Sequence, residues 1–154
     1  RRNLPEALSP QIKSTNFLNN ILAKRESVAA GTFDSLFLNW KDELTECTVS
    51  NLFFISGKTL HTPALDCGIL DGITRTIVMT LAQEEGIPVR EGHYHLADLQ
   101  RAEECFLTNT SMEIMPVNRV DAFVVGEGYP GPLTRRMQTR FAESRTRFLA
   151  SDPS

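Results

Sequence analysis

The sequence predicts an α/β (α+β) fold in which hairpins and packed helices surround one mixed sheet. Three observations predict it. Short β-rich runs, bounded by polar turns, alternate with longer stretches whose apolar residues repeat at helical spacing. The chain has 154 residues, 41% hydrophobic and 23% charged, enough for one packed domain and too short for two comfortable ones. It contains no internal repeat, no low-complexity tract and no apolar run near the ~20 residues of a membrane-spanning helix.

Each element follows from local chemistry. Pro5 and Pro10 make residues 1–10 an extended entry segment. Phe17, Leu18, Ile21, Leu22, Val28 and Ala29 fall at helical spacing from Ser14 or Thr15 to Ala30, and Gly31 stands where a C-cap belongs. Phe33 to Trp40 is β-rich. The turn Lys41-Asp42-Glu43 follows it, and then a strand from Leu44, which reads as a hairpin. Asn51 to Ile55 is a strand that Ser56-Gly57-Lys58 turns into Thr59–Thr62. Ile77, Val78, Leu81 and Ala82 set a helix over Thr74–Glu85, closed by Gly86. Ile87 to His95 reads as a strand, Leu96 to Ala102 as a short helix, and Cys105–Thr108 and Glu113–Val120 as strands. Asp121 to Tyr129 is turn-rich. A last amphipathic helix runs from Pro132 to Leu149, with Met137, Phe141 and Phe148 inward and Arg135, Arg136, Arg140, Arg145 and Arg147 on its solvated face.

Charge and cysteine usage narrow the function. The formal net charge of -3 argues against nucleic acid, whose partners carry a basic face. Cys47, Cys67 and Cys105 show no paired spacing and no secretory signal opens the chain, which predicts a reducing, cytoplasmic setting. His93 and His95 share one face of a predicted strand, but two ligands do not make a site, so no metal is expected. The chain opens Arg1-Arg2-Asn3 without Met, the expected look of a processed, truncated or partial polypeptide.

Three segments carry candidate chemistry. Lys13 lies in Ile12-Lys13-Ser14-Thr15-Asn16, where a lone lysine is ordinarily a solvated charge. Glu46 opens Glu46-Cys47-Thr48-Val49-Ser50-Asn51-Leu52-Phe53, which by itself reads as a turn before a strand. In Ile69-Leu70-Asp71-Gly72-Ile73-Thr74-Arg75, Gly72 permits close backbone approach. The free N–H groups of Ile73 and Thr74 at the helix start form a cradle for phosphate. The same segment also serves as a plain capping turn, and it lacks the Gly-Lys-Ser/Thr of a P-loop.

Together, the run from Glu46 through Leu60-His61-Thr62 to Leu70-Asp71-Gly72-Ile73-Thr74-Arg75 resembles the signature of the class IV pyridoxal-phosphate aminotransferases. That family holds branched-chain aminotransferases, D-amino-acid aminotransferases and aminodeoxychorismate lyases. Ile12–Asn16 resembles its Schiff-base lysine segment, Phe106 to Val117 its second phosphate-contacting strand and loop, and Gly131-Pro132-Leu133-Thr134-Arg135 the start of its final helix. The likeness spans nearly the whole chain but only the family's carboxyl-terminal half. The expectation is therefore that residues 1–154 are a carboxyl-terminal cofactor-binding domain without the family's preceding domain.

The resemblance implies roles for these residues. Lys13 would carry pyridoxal 5'-phosphate covalently and then move the proton between the substrate Cα and the cofactor C4′. Glu46 would hold the pyridine nitrogen protonated, an attraction of about 4 kcal/mol at an effective dielectric of 20. Leu70 would pack on the ring face. Ile73, Thr74, Asn109 and Thr110 would hold the phosphate, Asn109 at a position where some relatives carry Ser or Gly; Thr48 would come near the cofactor. Ser50 and Asn51 belong to the motif in a role either functional or structural. The implied reaction is transamination between an amino acid, branched-chain or of D configuration, and a 2-oxo acid. Aminodeoxychorismate lyase, releasing 4-aminobenzoate and pyruvate, is the alternative, and an inert fragment lacking half of its site is the further one. The family also implies a homodimer.

Overall fold

The computed structural model describes residues 17–127 and 130–150, with the side chains of the last helix as far as Arg145. Lys13 lies outside the described residues, as do the side chains of Arg147 and Phe148. Among the described residues nine strands and four α-helices follow in order: α1 (Leu18–Ala29), β1 (Leu36–Leu38), β2 (Leu44–Cys47), β3 (Asn51–Ser56), β4 (Thr59–Pro63), α2 (Ile73–Glu84), β5 (Val89–Gly92), α3 (Leu96–Gln100), β6 (Glu104–Asn109), β7 (Glu113–Val117), β8 (Arg119–Val120), β9 (Phe123–Val124) and α4 (Pro132–Ala150). A single 3₁₀ turn, Leu65–Cys67, follows β4.

The sheet is mixed, as expected. β1 to β7 form one seven-stranded sheet, and β8 and β9 a separate hairpin. β3 is its centre. It runs antiparallel to β6 from Asn51 against Thr108 to Ile55 against Glu104. Its other edge meets β2 at Asn51 and β4 from Phe54 to Ser56. β4 and β5 are parallel, a pairing that needs a crossover, and α2 lies within that connection.

Strand alternation sorts the core into two layers. Phe53, Ile55, Phe106 and Ile114 face one side, under Val78, Leu81 and Ala82 of α2 and Met137 and Phe141 of α4. Leu52, Phe54, Cys105 and Leu107 face the other, with Leu44, Cys47 and Leu99. Both faces are covered, so β3 and β6 read as continuous apolar runs. Phe53 and Phe106 stack with ring centroids 5.2 Å apart.

α4 docks through charge as well as apolar contact. The buried Glu104 carboxylate accepts the Leu133 N–H (2.9 Å) and the Thr134 N–H (2.7 Å), satisfying two donors of the first turn. Gly131 leaves space for this carboxylate: a Cβ would fall 2.1 Å from the Glu104 carboxyl carbon and push it off the helix start. Arg136 and Arg140 are not simply solvated: both pair with Glu85 just past α2. The Arg136 guanidinium bonded to it holds the Glu85 carboxyl below its ordinary range, with Arg140 adding to the effect.

Several boundaries differ from expectation. The strand from Ile87 to His95 shortens to β5, ending at Gly92, where pairing with β4 ends at Pro63. The predicted Glu113–Val120 strand divides at Asn118, whose carbonyl accepts the Val125 N–H and closes the β8–β9 hairpin. α1 forms, but its apolar stripe is not covered by the described residues. Leu18, Ile21, Leu22 and Val28 are 69%, 53%, 49% and 68% exposed, and Ser27 is its buried residue.

Glu104→Ala removes the acceptor for the first turn of α4. It is expected to lower unfolding free energy by about 1–2 kcal/mol in urea titration, with Glu104→Gln closer to the parent.

Candidate functional site

Glu46 lies on β2 with its neighbours buried on both sides. Burying a carboxylate is costly unless donors surround it. Its Oε2 accepts the Asn51 Nδ2–H and the Leu70 N–H, each at 3.1 Å. Asn51 is the direct cross-strand partner of Glu46, and its Nδ2 also donates to the Leu70 carbonyl at 2.9 Å. One carboxylate and one carboxamide thus fasten the stretch before α2 to the sheet.

Gly72 completes the junction. A Cβ at this position would sit 2.1 Å from Asn51 Oδ1, so any other residue would have to displace the Asn51 carboxamide from its bonds. Gly72 is the N-cap of α2, and no side chain caps that helix. Its first N–H groups, on Ile73 and Thr74, have no intrahelical acceptor, which leaves them and the helix dipole available to an anion. Ile73 is exposed and Thr74 buried. Arg75 anchors the first turn from within: its buried guanidinium donates to the Pro63 carbonyl (3.1 Å) and to Glu91, and lies 3.6 Å from Asp71.

Two turns lie at the same end of the sheet. In the β2–β3 turn the Cys47 N–H donates to the Ser50 carbonyl; Thr48 is buried and its hydroxyl donates to Asp34. In the β6–β7 turn, Asn109 Oδ1 accepts the Ser111 and Met112 N–H groups and its Nδ2 donates to the Val49 carbonyl at 3.2 Å. The Asn109 side chain thus ties one turn to the other, and Thr110 beside it is exposed. Glu46, Leu70, Ile73, Thr74, Asn109 and Thr110 therefore gather at one end of the sheet.

Thr108 was not singled out from the sequence. It pairs with Asn51 in register, so it shares the face of Asn51 and Glu46. Its side chain is 1% exposed and its hydroxyl has no partner among the described residues. The alternation Phe106, Thr108 is the signal that could have found it.

The arrangement offers three things to a ligand: a buried carboxylate, an uncapped helix start and an unsatisfied hydroxyl. A carboxylate pairs with a protonated heterocyclic nitrogen and the helix start with a phosphate. Those donors and acceptors suit a phosphorylated, nitrogen-containing aromatic cofactor.

Comparison with known proteins agrees. Residues 1–120 match the family model for amino-transferase class IV. D-alanine aminotransferase of Listeria monocytogenes serotype 1/2a is 39% identical over 136 residues, covering 88% of this chain and 47% of the relative. Aminodeoxychorismate lyase of Bacillus subtilis is 38% identical over 121 residues, 79% of this chain and 41% of the relative. The crystal structure of the branched-chain amino acid aminotransferase of Thermobaculum terrenum in its PLP form superposes with a TM-score of 0.90 at 36% identity, covering 93% of this chain and 47% of that one. The chain spans about half the length of the curated relatives it matches.

Gly72→Ala is expected to cost roughly 1–3 kcal/mol of stability, measured by denaturant unfolding. Combining it with Asn51→Ala should cost less than the sum of the two single changes, because the clash and its partner are then removed together.

Proposed function

Because the chain belongs to the class IV aminotransferase family, we propose that it is the carboxyl-terminal, cofactor-binding domain of a pyridoxal-phosphate-dependent transaminase. The proposed substrates are an amino acid, branched-chain or of D configuration, and a 2-oxo acid. The observation that carries the reading is the buried Glu46 carboxylate, joined through Asn51 to the uncapped start of α2.

Pyridoxal phosphate, when bound, supplies an electron sink for the carbanion formed at the substrate Cα. Every other task falls to this chain's own side chains and backbone N–H groups. Glu46 holds a proton at the pyridine nitrogen, and Asn51 and the Leu70 N–H keep its carboxylate oriented. The Ile73 and Thr74 N–H groups, with the Thr74 hydroxyl, bind the phosphate, which the dipole of α2 stabilises. Asn109 and Thr110 close the phosphate cup from the β6–β7 turn, and the buried Thr108 hydroxyl is a further donor on the same face. Leu70 would pack against the ring and exclude water. Lys13, which lies outside the described residues, would hold the cofactor through its aldehyde, and its free amine would carry the proton between the substrate Cα and C4′. The same reading implies a homodimer, which the exposed apolar residues of α1 support, and a cytoplasmic setting, which three buried unpaired cysteines support.

Aminodeoxychorismate lyase chemistry is the second reading, favoured by the likeness to the Bacillus subtilis enzyme. Assays of amine transfer to 2-oxoglutarate, set against 4-aminobenzoate release, separate the two.

The protein supplied with pyridoxal phosphate should turn yellow, and Lys13→Ala should abolish that absorbance. Protein that stays colourless with added cofactor sinks the reading in favour of an inert piece. Glu46→Gln keeps the acceptor for the Leu70 N–H but loses the charge. It should fold normally and lower turnover by roughly 10²–10³-fold in steady-state kinetics.

A further inference from the structure

Glu43, Cys67 and His93 are far apart in sequence and meet beside the 3₁₀ turn that follows β4. One ligand atom from each lies within 4.8 Å of the others. His93 Nδ1 is 3.1 Å from Glu43 Oε1 and 3.6 Å from Cys67 Sγ. A tetrahedral ion with bonds of about 2.0–2.3 Å to N, O and S sets its ligand atoms about 3.3–3.6 Å apart, so two edges of that tetrahedron are already close to size. We propose that these three side chains form a site for a single borderline-soft divalent cation, with zinc as the best match.

The surroundings hold the ligands in place. The second nitrogen of His93, Nε2, faces Asp66 Oδ2 at 3.2 Å, the carboxylate–histidine pairing that orients metal-bound imidazoles. Asn39 Nδ2 donates to Glu43 Oε2 (2.7 Å) and to the Cys67 carbonyl (3.3 Å), leaving Oε1 directed at His93. Glu43 and Cys67 are buried, whereas the His93 side chain is 44% exposed. The ion thus enters past the imidazole, and water takes its fourth position. A mixed N, O and S set favours zinc over magnesium or calcium, which prefer all-oxygen cages.

Binding displaces the proton of the Cys67 thiol to solvent. Burial pushes that thiol up to about 11, so the metal must drive the ionisation. The thiolate and the Glu43 carboxylate then balance the two positive charges of the ion. The ion joins the turn before β2, the 3₁₀ turn and the residue after β5, and braces the segment that runs on to Leu70 and α2. The rival arrangement is an imidazolium held between Glu43 and Asp66 with no metal.

Chelator-treated protein titrated with cobalt(II) alone, then with zinc(II) alone, tests the site. The expected result is one equivalent bound, with a thiolate-to-cobalt charge-transfer band that zinc abolishes. The melting temperature should rise by about 5–10 °C at a hundredfold excess of zinc over Kd. Cys67→Ser should remove the charge-transfer band. His93→Gln, at a half-exposed position, should fold and weaken binding at least a hundredfold, and Asp66→Asn should weaken it about tenfold. Absence of saturable one-equivalent binding overturns the proposal, as does unchanged affinity in His93→Gln.

Discussion

The buried carboxylate of Glu46 is the constraint on which the rest of this domain depends. A charge in that position is tolerated only if donors reach it; the Asn51 carboxamide and the Leu70 N–H are among those that do. Asn51 sits on the central strand, so satisfying Glu46 also fastens the segment before α2 to the middle of the sheet. The approach is so close that a side chain at residue 72 would push the Asn51 carboxamide aside. The start of α2 is placed as a consequence, with Arg75 gripping the β4–β5 side beneath it.

The two long packed helices treat their N-termini differently. α4 begins on the Glu104 carboxylate, which occupies its first N–H groups. α2 begins on Gly72 with no side-chain cap. A missing cap costs on the order of 1 kcal/mol, and an anion bound there would recover it. The domain thus forgoes local stability at one helix start of the pair, beside its buried carboxylate, and satisfies the other internally. That asymmetry separates a helix start left open to an anion from a structural joint within a single layer of helices.

The three cysteines divide in the same way. Cys47 and Cys105 are buried in the layer opposite α2 and α4, and burial raises both thiols well above their ordinary range. They are packing residues. Cys67 is also buried, but it stands against an imidazole and a carboxylate. Burial raises the pKa of Glu43, yet bonds from Asn39 and His93 outweigh that and leave it lowered. The Glu43 contribution to stability is therefore present at neutral pH and is lost as pH falls through its depressed value.

Periodicity and turn chemistry made much of the fold legible: β2, β3, β4 and β6, the helices α2 and α4, and the inward Met137 and Phe141 all lie where local pattern put them. Glycine signals were equally direct, and Gly86 takes a φ of +69° at the end of α2. What pattern could not supply was the limit of pairing: β5 stops where β4 stops, and β7 yields to a hairpin at Asn118. Nor could the apolar spacing of α1 say what covers it. The proximity of Glu46 and Asn51 followed from a short turn between paired strands, but the burial of Thr108 and the meeting of Glu43, Cys67 and His93 had no local signal. By itself the sequence determined which residues alternate, cap and turn, because those depend on neighbours along the chain. Only the tertiary structure decided that Glu46 meets a backbone N–H 24 residues away, or that Cys67 meets an imidazole 26 residues on. Such contacts depend on strand register and crossover, which no local spacing encodes.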